Sequence, residues 1–275
     1  MYKYLRSQTG DDTREGLAAS FVKKQKISIP PISEQQSIAD YLERTSNVIS
    51  KAIATQEKRV ELLKELRQNI ITQAVTRGIN PNAPLKDSGV EWIGEVPENW
   101  QVSRIKFCGR IQSGDGISNE NIKDSGEYEV FGGNGLMGYS DLYNIEEDRI
   151  IIGRVGALCG NIHISRGRRF ISDNSLIFAP NNKNILEFLA YFMVAADLNK
   201  LNTSSAQPLI TGTKVMNVFI PIPPLSEQKE IVSYIETQTA SLDKSIEKAE
   251  HQIGLLQELK QSIITEVVTG KRKVV

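Results

Sequence analysis

The chain is predicted to be an α+β protein, a loop-rich mixed domain set between two long helices that form an antiparallel coiled coil. Three observations predict this. Residues 29–76 align without gaps on residues 222–269 at a constant offset of 193, and 22 of the 48 positions are identical. Each copy spaces its apolar residues alternately three and four apart, as a helical seam does. The segment between them breaks into short strand-like runs separated by glycine-rich turns. A repeat at this spacing points to one structural unit used twice.

Each copy opens with a Pro-Pro pair, Pro30-Pro31 and Pro223-Pro224, which cannot lie inside a helix. Ser33 and Ser226 then stand where a helix N-cap is expected, and Gln36 offers a capping box to the first. The stripe that follows is Ile38, Leu42, Thr45, Ile49, Ala52, Gln56, Leu63, Leu66 and Ile70. Its second copy is Ile231, Ile235, Leu242, Ala249, Leu256, Leu259 and Ile263. Because a compact domain returns its two ends close together, the helices are expected to pair antiparallel.

The predicted boundaries are a short leading segment at residues 1–28, a first helical region at 29–80, a mixed domain at 81–221, and a second helical region at 222–275. In the mixed domain the expected strands are 102–107, 128–131, 149–152, 161–164, 169–172 and 176–179, with one amphipathic helix near 184–196. The turns are Ser113-Gly114-Asp115-Gly116, Gly132-Gly133-Asn134-Gly135, and the run from Gly153 to Gly160.

Composition is that of an ordinary globular chain, 40% hydrophobic and 24% charged, with formal net charge zero. Cys108 and Cys159 are too few for a disulfide framework, which together with the lack of a signal-like start predicts a reducing cytoplasm. No apolar run suggests a membrane span. Zero net charge argues against a nucleic-acid binder, yet the charges are segregated. Residues 115–148 carry nine acids against Lys123 alone, whereas residues 149–175 carry five arginines against Asp173 alone. A chain neutral overall can therefore present a basic face.

Enzymatic signatures fail on inspection. Phe131-Gly132-Gly133-Asn134-Gly135 matches the glycine string of methyltransferases, but Leu136-Met137-Gly138-Tyr139 follows it instead of a helix, so a glycine-rich β-turn is the better reading. Gly212-Thr213-Lys214 lacks the earlier glycine of a phosphate-binding loop, and His163 and His251 have no metal-ligand spacing. His163, alone in an alternating strand, reads as a structural or contact residue. No base is placed beside a nucleophile, so the mixed domain reads as a binder.

In order along the chain, these pieces resemble the specificity subunit of type I restriction-modification systems. The resemblance rests on Pro30-Pro31-Ile32-Ser33-Glu34-Gln35 and Pro223-Pro224-Leu225-Ser226-Glu227-Gln228, on Val90 to Trp100, and on the pairing of Phe131–Gly135 with Gly153-Arg154-Val155-Gly156-Ala157. Such subunits carry two target-recognition domains. Here residues 1–28 look like the tail of the first, so the chain resembles the C-terminal half.

The resemblance implies a subunit that is no enzyme by itself and binds no cofactor. It would recognise one half of a bipartite target in double-stranded DNA and dock the methylation subunits and the restriction (motor-nuclease) subunit. S-adenosylmethionine, ATP and Mg would sit on those partners, and a homodimer of half-subunits is one arrangement. Rival readings are a coiled-coil adaptor without DNA binding, a self-sufficient methyltransferase, and an inactive truncated cassette. Residue chemistry nominates Arg154, Arg166, Arg168 and Arg169 as the DNA-binding cluster, with Asn134, Tyr139 and Gln207 as base-edge or backbone contacts and Lys106 and Lys214 on phosphate.

Overall fold

The computed structural model describes residues 29–202 and 208–274, and the described chain divides into two compact units. One comprises residues 29–58 and 249–274; the other is residues 59–248. Both long helices contribute to each unit. Helix α1 covers Ile32–Arg77 and helix α4 covers Leu225–Val268.

The sequence repeat is thus two helices, but each starts slightly earlier than expected. Pro31 O accepts from the amides of Glu34 and Gln35, both at 3.0 Å, and Pro224 O accepts from the amide of Gln228 at 3.0 Å. The second proline of each pair therefore caps the helix with its carbonyl, which costs nothing because the missing N–H would be unpaired there anyway. Ser33 and Ser226 lie inside the first turn, and Gln36 donates to Asp40 at 2.8 Å instead of closing a capping box. The side-chain bond to the helix start comes from the preceding glutamine: Gln35 Nε2 donates to Pro30 O at 2.7 Å, and its counterpart Gln228 Nε2 to Pro223 O at 3.0 Å. Gly78, at φ +75°, ends α1 in the left-handed conformation that favours glycine.

In the first unit the two helices meet through Ile49, Ile263 and Val267, with Ile38, Tyr41, Leu42, Ile53 and Leu256 against them. Lys260 Nζ donates to Ser50 Oγ at 2.8 Å. In the second unit Arg67 Nε reaches Asp243 Oδ1 at 2.7 Å. Within each unit residues late in α4 meet residues early in α1 and the reverse, so the pairing is antiparallel. Leu66 and Leu259, expected in the seam, are instead 48% exposed each.

The mixed domain belongs wholly to the second unit. Its strands are β1 (Leu85–Asp87), β2 (Glu95–Pro97), β3 (Gln101–Arg104), β4 (Gly109–Ser113), β5 (Tyr128–Gly132), β6 (Gly135–Ser140), β7 (Arg149–Gly153), β8 (Ile162–Ser165), β9 (Phe170–Ile171), β10 (Ser175–Pro180) and β11 (Phe219–Ile222). Helix α2 is Leu186–Ala195 and the short α3 is Gly212–Met216. The strand expected to reach Phe107 stops at Arg104 and turns into a 3-10 helix over Ile105–Phe107.

The central sheet has the order β4-β10-β7-β8, antiparallel throughout. A three-stranded sheet, β6-β5-β9, contains one parallel pair, β5 with β9. Both faces of the central sheet are covered, and alternation along its strands sends neighbouring residues to different cores. Ile150, Ile152, Leu176 and Phe178 join the main core with Trp100, Phe188 and Phe192, to which the helix ends contribute Ile71, Ala74, Val75, Ile231 and Ile235. Ile151 and Ile177, one residue out of step, join Ile145 and Ile171 in a second core against Phe131.

Candidate nucleic-acid interface

The two glycine strings that carried the resemblance touch each other. Gly132 pairs with Gly135 across a two-residue hairpin loop, so the methyltransferase-like string is a β-turn, as its flanking residues required. That loop lies against the end of β7, where a Cβ added to Gly153 would overlap Gly133 O. Only glycine lets two backbones approach this closely.

Four strands of the central sheet end or begin at this edge: β4 at Ser113, β7 at Gly153, β8 at Ile162 and β10 at Ser175. Arg154 follows directly. Its amide donates to Asn174 O at 2.9 Å, its carbonyl accepts from Ile210 N at 2.9 Å, and its Nη1 donates to Ser113 Oγ at 3.2 Å. Asn161 Nδ2 donates to Asn134 Oδ1 at 3.3 Å across the loop. The His163 ring packs over Gly135, and burial lowers its pKa, so it is neutral at pH 7.

The arginines nominated together are not brought together. In the β7–β8 register Arg149 faces Ser165, so Arg166 lies past one end of the sheet and Arg154 past the other. Five residues of strand separate those ends, roughly 17 Å at ~3.3 Å per residue. Arg166 donates to Asp148 at 2.6 Å and to Glu187 at 2.5 Å. Arg168 sits 4.9 Å over the Tyr143 ring and 3.8 Å from Glu146. Arg169 Nε lies 2.7 Å from Glu129, a charge contact whose N–H does not aim at the carboxylate, while its Nη1 donates to Arg168 O at 2.8 Å. The Asp148 carboxyl is held below its usual range, first by the Arg166 hydrogen bond and then by the Gly167 amide.

The remaining nominees are scattered. Tyr139 faces Glu129 in β6, with its amide and carbonyl bridged to Lys123. Lys106 lies 5.0 Å over the Phe107 ring, and Lys214 Nζ donates to Leu201 O at 2.9 Å. Gln207 lies outside the described residues. Asn161 and Ser113 were not singled out from sequence. Single polar residues at strand ends carry no periodic signal, and only the register places them beside Arg154.

Burial pushes the Cys108 thiol up to about 11, which removes it as a nucleophile at neutral pH. Among the described residues no group of three or more His, Cys, Asp and Glu could hold a metal, and no helix is long and apolar enough to cross a membrane.

A double-glycine hairpin is thus docked on a glycine-ended strand, in a domain whose core takes residues from both copies of the repeated helix. Residues 1–62 and 97–253 match the family model of the type I restriction modification DNA specificity domain, and the chain belongs to that family. It is 25% identical to the type I restriction enzyme MjaVIII specificity subunit of Methanocaldococcus jannaschii, over 98% of this chain and 68% of that protein. It is 24% identical to the EcoBI specificity subunit of Escherichia coli, over 97% of this chain and 62% of that protein. Among solved structures, a chain from a study of complex assembly and conformational transition of the type I R-M system superposes with TM-score 0.68 at 18% identity, covering 98% of this chain and 68% of that one. The S subunit from M. genitalium superposes with TM-score 0.52 at 16% identity, covering 86% and 61%. The chain spans about two thirds of the length of these relatives.

Proposed function

We propose that the chain supplies sequence specificity to a type I restriction-modification complex, reading one half of a bipartite DNA target through residues 81–221. The observation that carries the half-target reading is a grip that the chain possesses twice. In the second unit Gln228 is fully buried: its Nε2 holds Pro223 O, and its Oε1 accepts from Ile185 N at 2.9 Å at the start of α2. Its repeat counterpart is Gln35, which makes the equivalent bond to Pro30 O and is exposed. Buried Val75 likewise corresponds to Val268, which is 56% exposed. The helix pair of the first unit thus offers the same seat, and a second recognition domain is its natural occupant, donated by a second copy of the chain or by a longer polypeptide.

The helices also dock the methylation subunits. Leu62 and Leu66 correspond through the repeat to Leu255 and Leu259, and all four are about half exposed, at 55%, 48%, 51% and 48%. Equivalent apolar pairs one helical turn apart suit two copies of one partner helix. The chain itself is non-catalytic in this reading and acts in the cytoplasm. S-adenosylmethionine, ATP and Mg serve the methylation and restriction subunits.

The test is titration of the assembled complex against duplex DNA over a range of salt. Specific binding predicts one sequence preferred by ~10³-fold or more and a log–log salt slope that counts phosphate contacts. The adaptor reading draws on the pairing of Arg166, Arg168 and Arg169 with carboxylates, and predicts salt-insensitive association with protein partners only.

A further inference from the structure

The charges of residues 149–175 leave one arginine without a carboxylate. Arg149, Arg166, Arg168 and Arg169 each lie against Glu or Asp. Arg154 has no ion pair among the described residues. Among the described residues its one side-chain hydrogen bond goes to a neutral hydroxyl, Ser113 Oγ at 3.2 Å, and its Nε is buried without a partner. Asp115, the acid two residues beyond Ser113, spends its carboxylate on Asn144 Nδ2 at 2.8 Å.

A guanidinium has five donors and cannot shed its charge. Holding even one of them, Nε, out of water without an acceptor is costly unless a ligand supplies one. The same edge gathers further unmet polar demand. Of eight buried side-chain polar atoms without a partner among the described residues, four are Arg154 Nε, His163 Nε2, Ser172 Oγ and Ser175 Oγ. Arg154 is also fixed in position, because its backbone is bonded on both sides and Ser113 holds its head.

We infer that Arg154 is the DNA-contacting arginine of this domain, a pre-set fork for paired acceptors on DNA, with Ser113 as its positioning residue and the Asn134–Asn161 amide pair beside it. Arg166, Arg168 and Arg169 are structural. The ligand chemistry is a bidentate acceptor, which a guanine edge or a backbone phosphate can provide. This inference rests on the DNA-reading function proposed above.

The experiment uses the full chain assembled with its methylation and restriction subunits, carrying Arg154→Ala, Arg154→Lys, Ser113→Ala or Arg166→Ala. Fluorescence anisotropy is measured on the preferred duplex and on a scrambled one, across salt. Arg154→Ala is expected to lose tenfold or more of the affinity for the cognate duplex, while Arg166→Ala keeps it and melts at a lower temperature. A guanine contact predicts that Arg154→Ala also loses the preference over the scrambled duplex and that Arg154→Lys fails to restore it. A phosphate contact predicts that Lys restores affinity, and that Arg154→Ala lowers the salt slope by about one. Ser113→Ala, the gentler variant, should weaken cognate binding severalfold with no change in melting. A wild-type complex that prefers its duplex, with Arg154→Ala unchanged in affinity and preference, overturns the inference alone. A wild-type complex without preference overturns the DNA-reading function and this inference with it.

Discussion

Arg67 lies 2.7 Å from Asp243 in one compact unit, and Lys260 lies 2.8 Å from Ser50 in the other. Positions 67 and 260 are counterparts through the repeat, as are 50 and 243, so the chain makes one contact twice with different side chains. The repeat is therefore structural as well as textual, and each half of the helix pair is built on the same antiparallel register.

That contact is a marker of register more than a source of stability. The Arg67 and Asp243 side chains are 35% and 49% exposed, and exposed pairs are worth ~0.2–1 kcal/mol. A double-mutant cycle with Arg67→Ala and Asp243→Ala, read by urea denaturation, should return a coupling within that range and weaken as salt rises.

Gln228 should behave differently from Gln35. Gln228→Ala removes the acceptor of the Ile185 amide and the donor to Pro223 O in a fully buried site, which should cost about 1–3 kcal/mol. Gln35→Ala removes one exposed bond and should cost less than ~0.5 kcal/mol in the isolated chain. Chemical denaturation of both variants checks the asymmetry.

Gly153→Ala should be severely destabilising, because its methyl would overlap Gly133 O and push the hairpin off the central sheet. Gly156→Ala gives a contrast, since a methyl there meets nothing and only its positive φ of 84° opposes the change. Melting temperatures should fall further for the first than for the second.

The Arg166–Asp148 contact makes a pH prediction. The folded Asp148 carboxyl titrates below its unfolded value of ~3.9. Its contribution to stability is thus complete above that value and is lost as pH falls through the lowered folded value. In Arg166→Ala the Asp148 midpoint, followed by carbon-detected NMR, should rise toward ~3.9, and stability should vary less steeply over the acid limb.

The long helices were legible because two signals agreed, a repeat and a seam spacing. Strands such as Tyr128–Gly132, Arg149–Gly153 and Ser175–Pro180 showed as β-rich runs bounded by turns. Strands β4 and β6 did not, because Gly-Arg-Ile-Gln-Ser and Gly-Leu-Met-Gly-Tyr-Ser have little strand character of their own and become strands by pairing with β10 and β5. The candidate interface was harder still. The acidic run ending at Asp148 and the basic run beginning at Arg149 looked like separate faces. The register instead lays residues 145–148 beside residues 165–169, so the two runs neutralise each other. Adjacency in the chain placed Arg154 with Arg166, and the length of one strand separates them.

The central claim is that residues 81–221 read DNA on behalf of partner subunits. Its most direct test is to co-express the chain with the methylation subunits, with and without these residues exchanged for those of another family member, and to sequence the methylome. The account predicts DNA methylation at a defined motif, half of which changes with the exchange. Methylation at an unchanged motif after the exchange would contradict it.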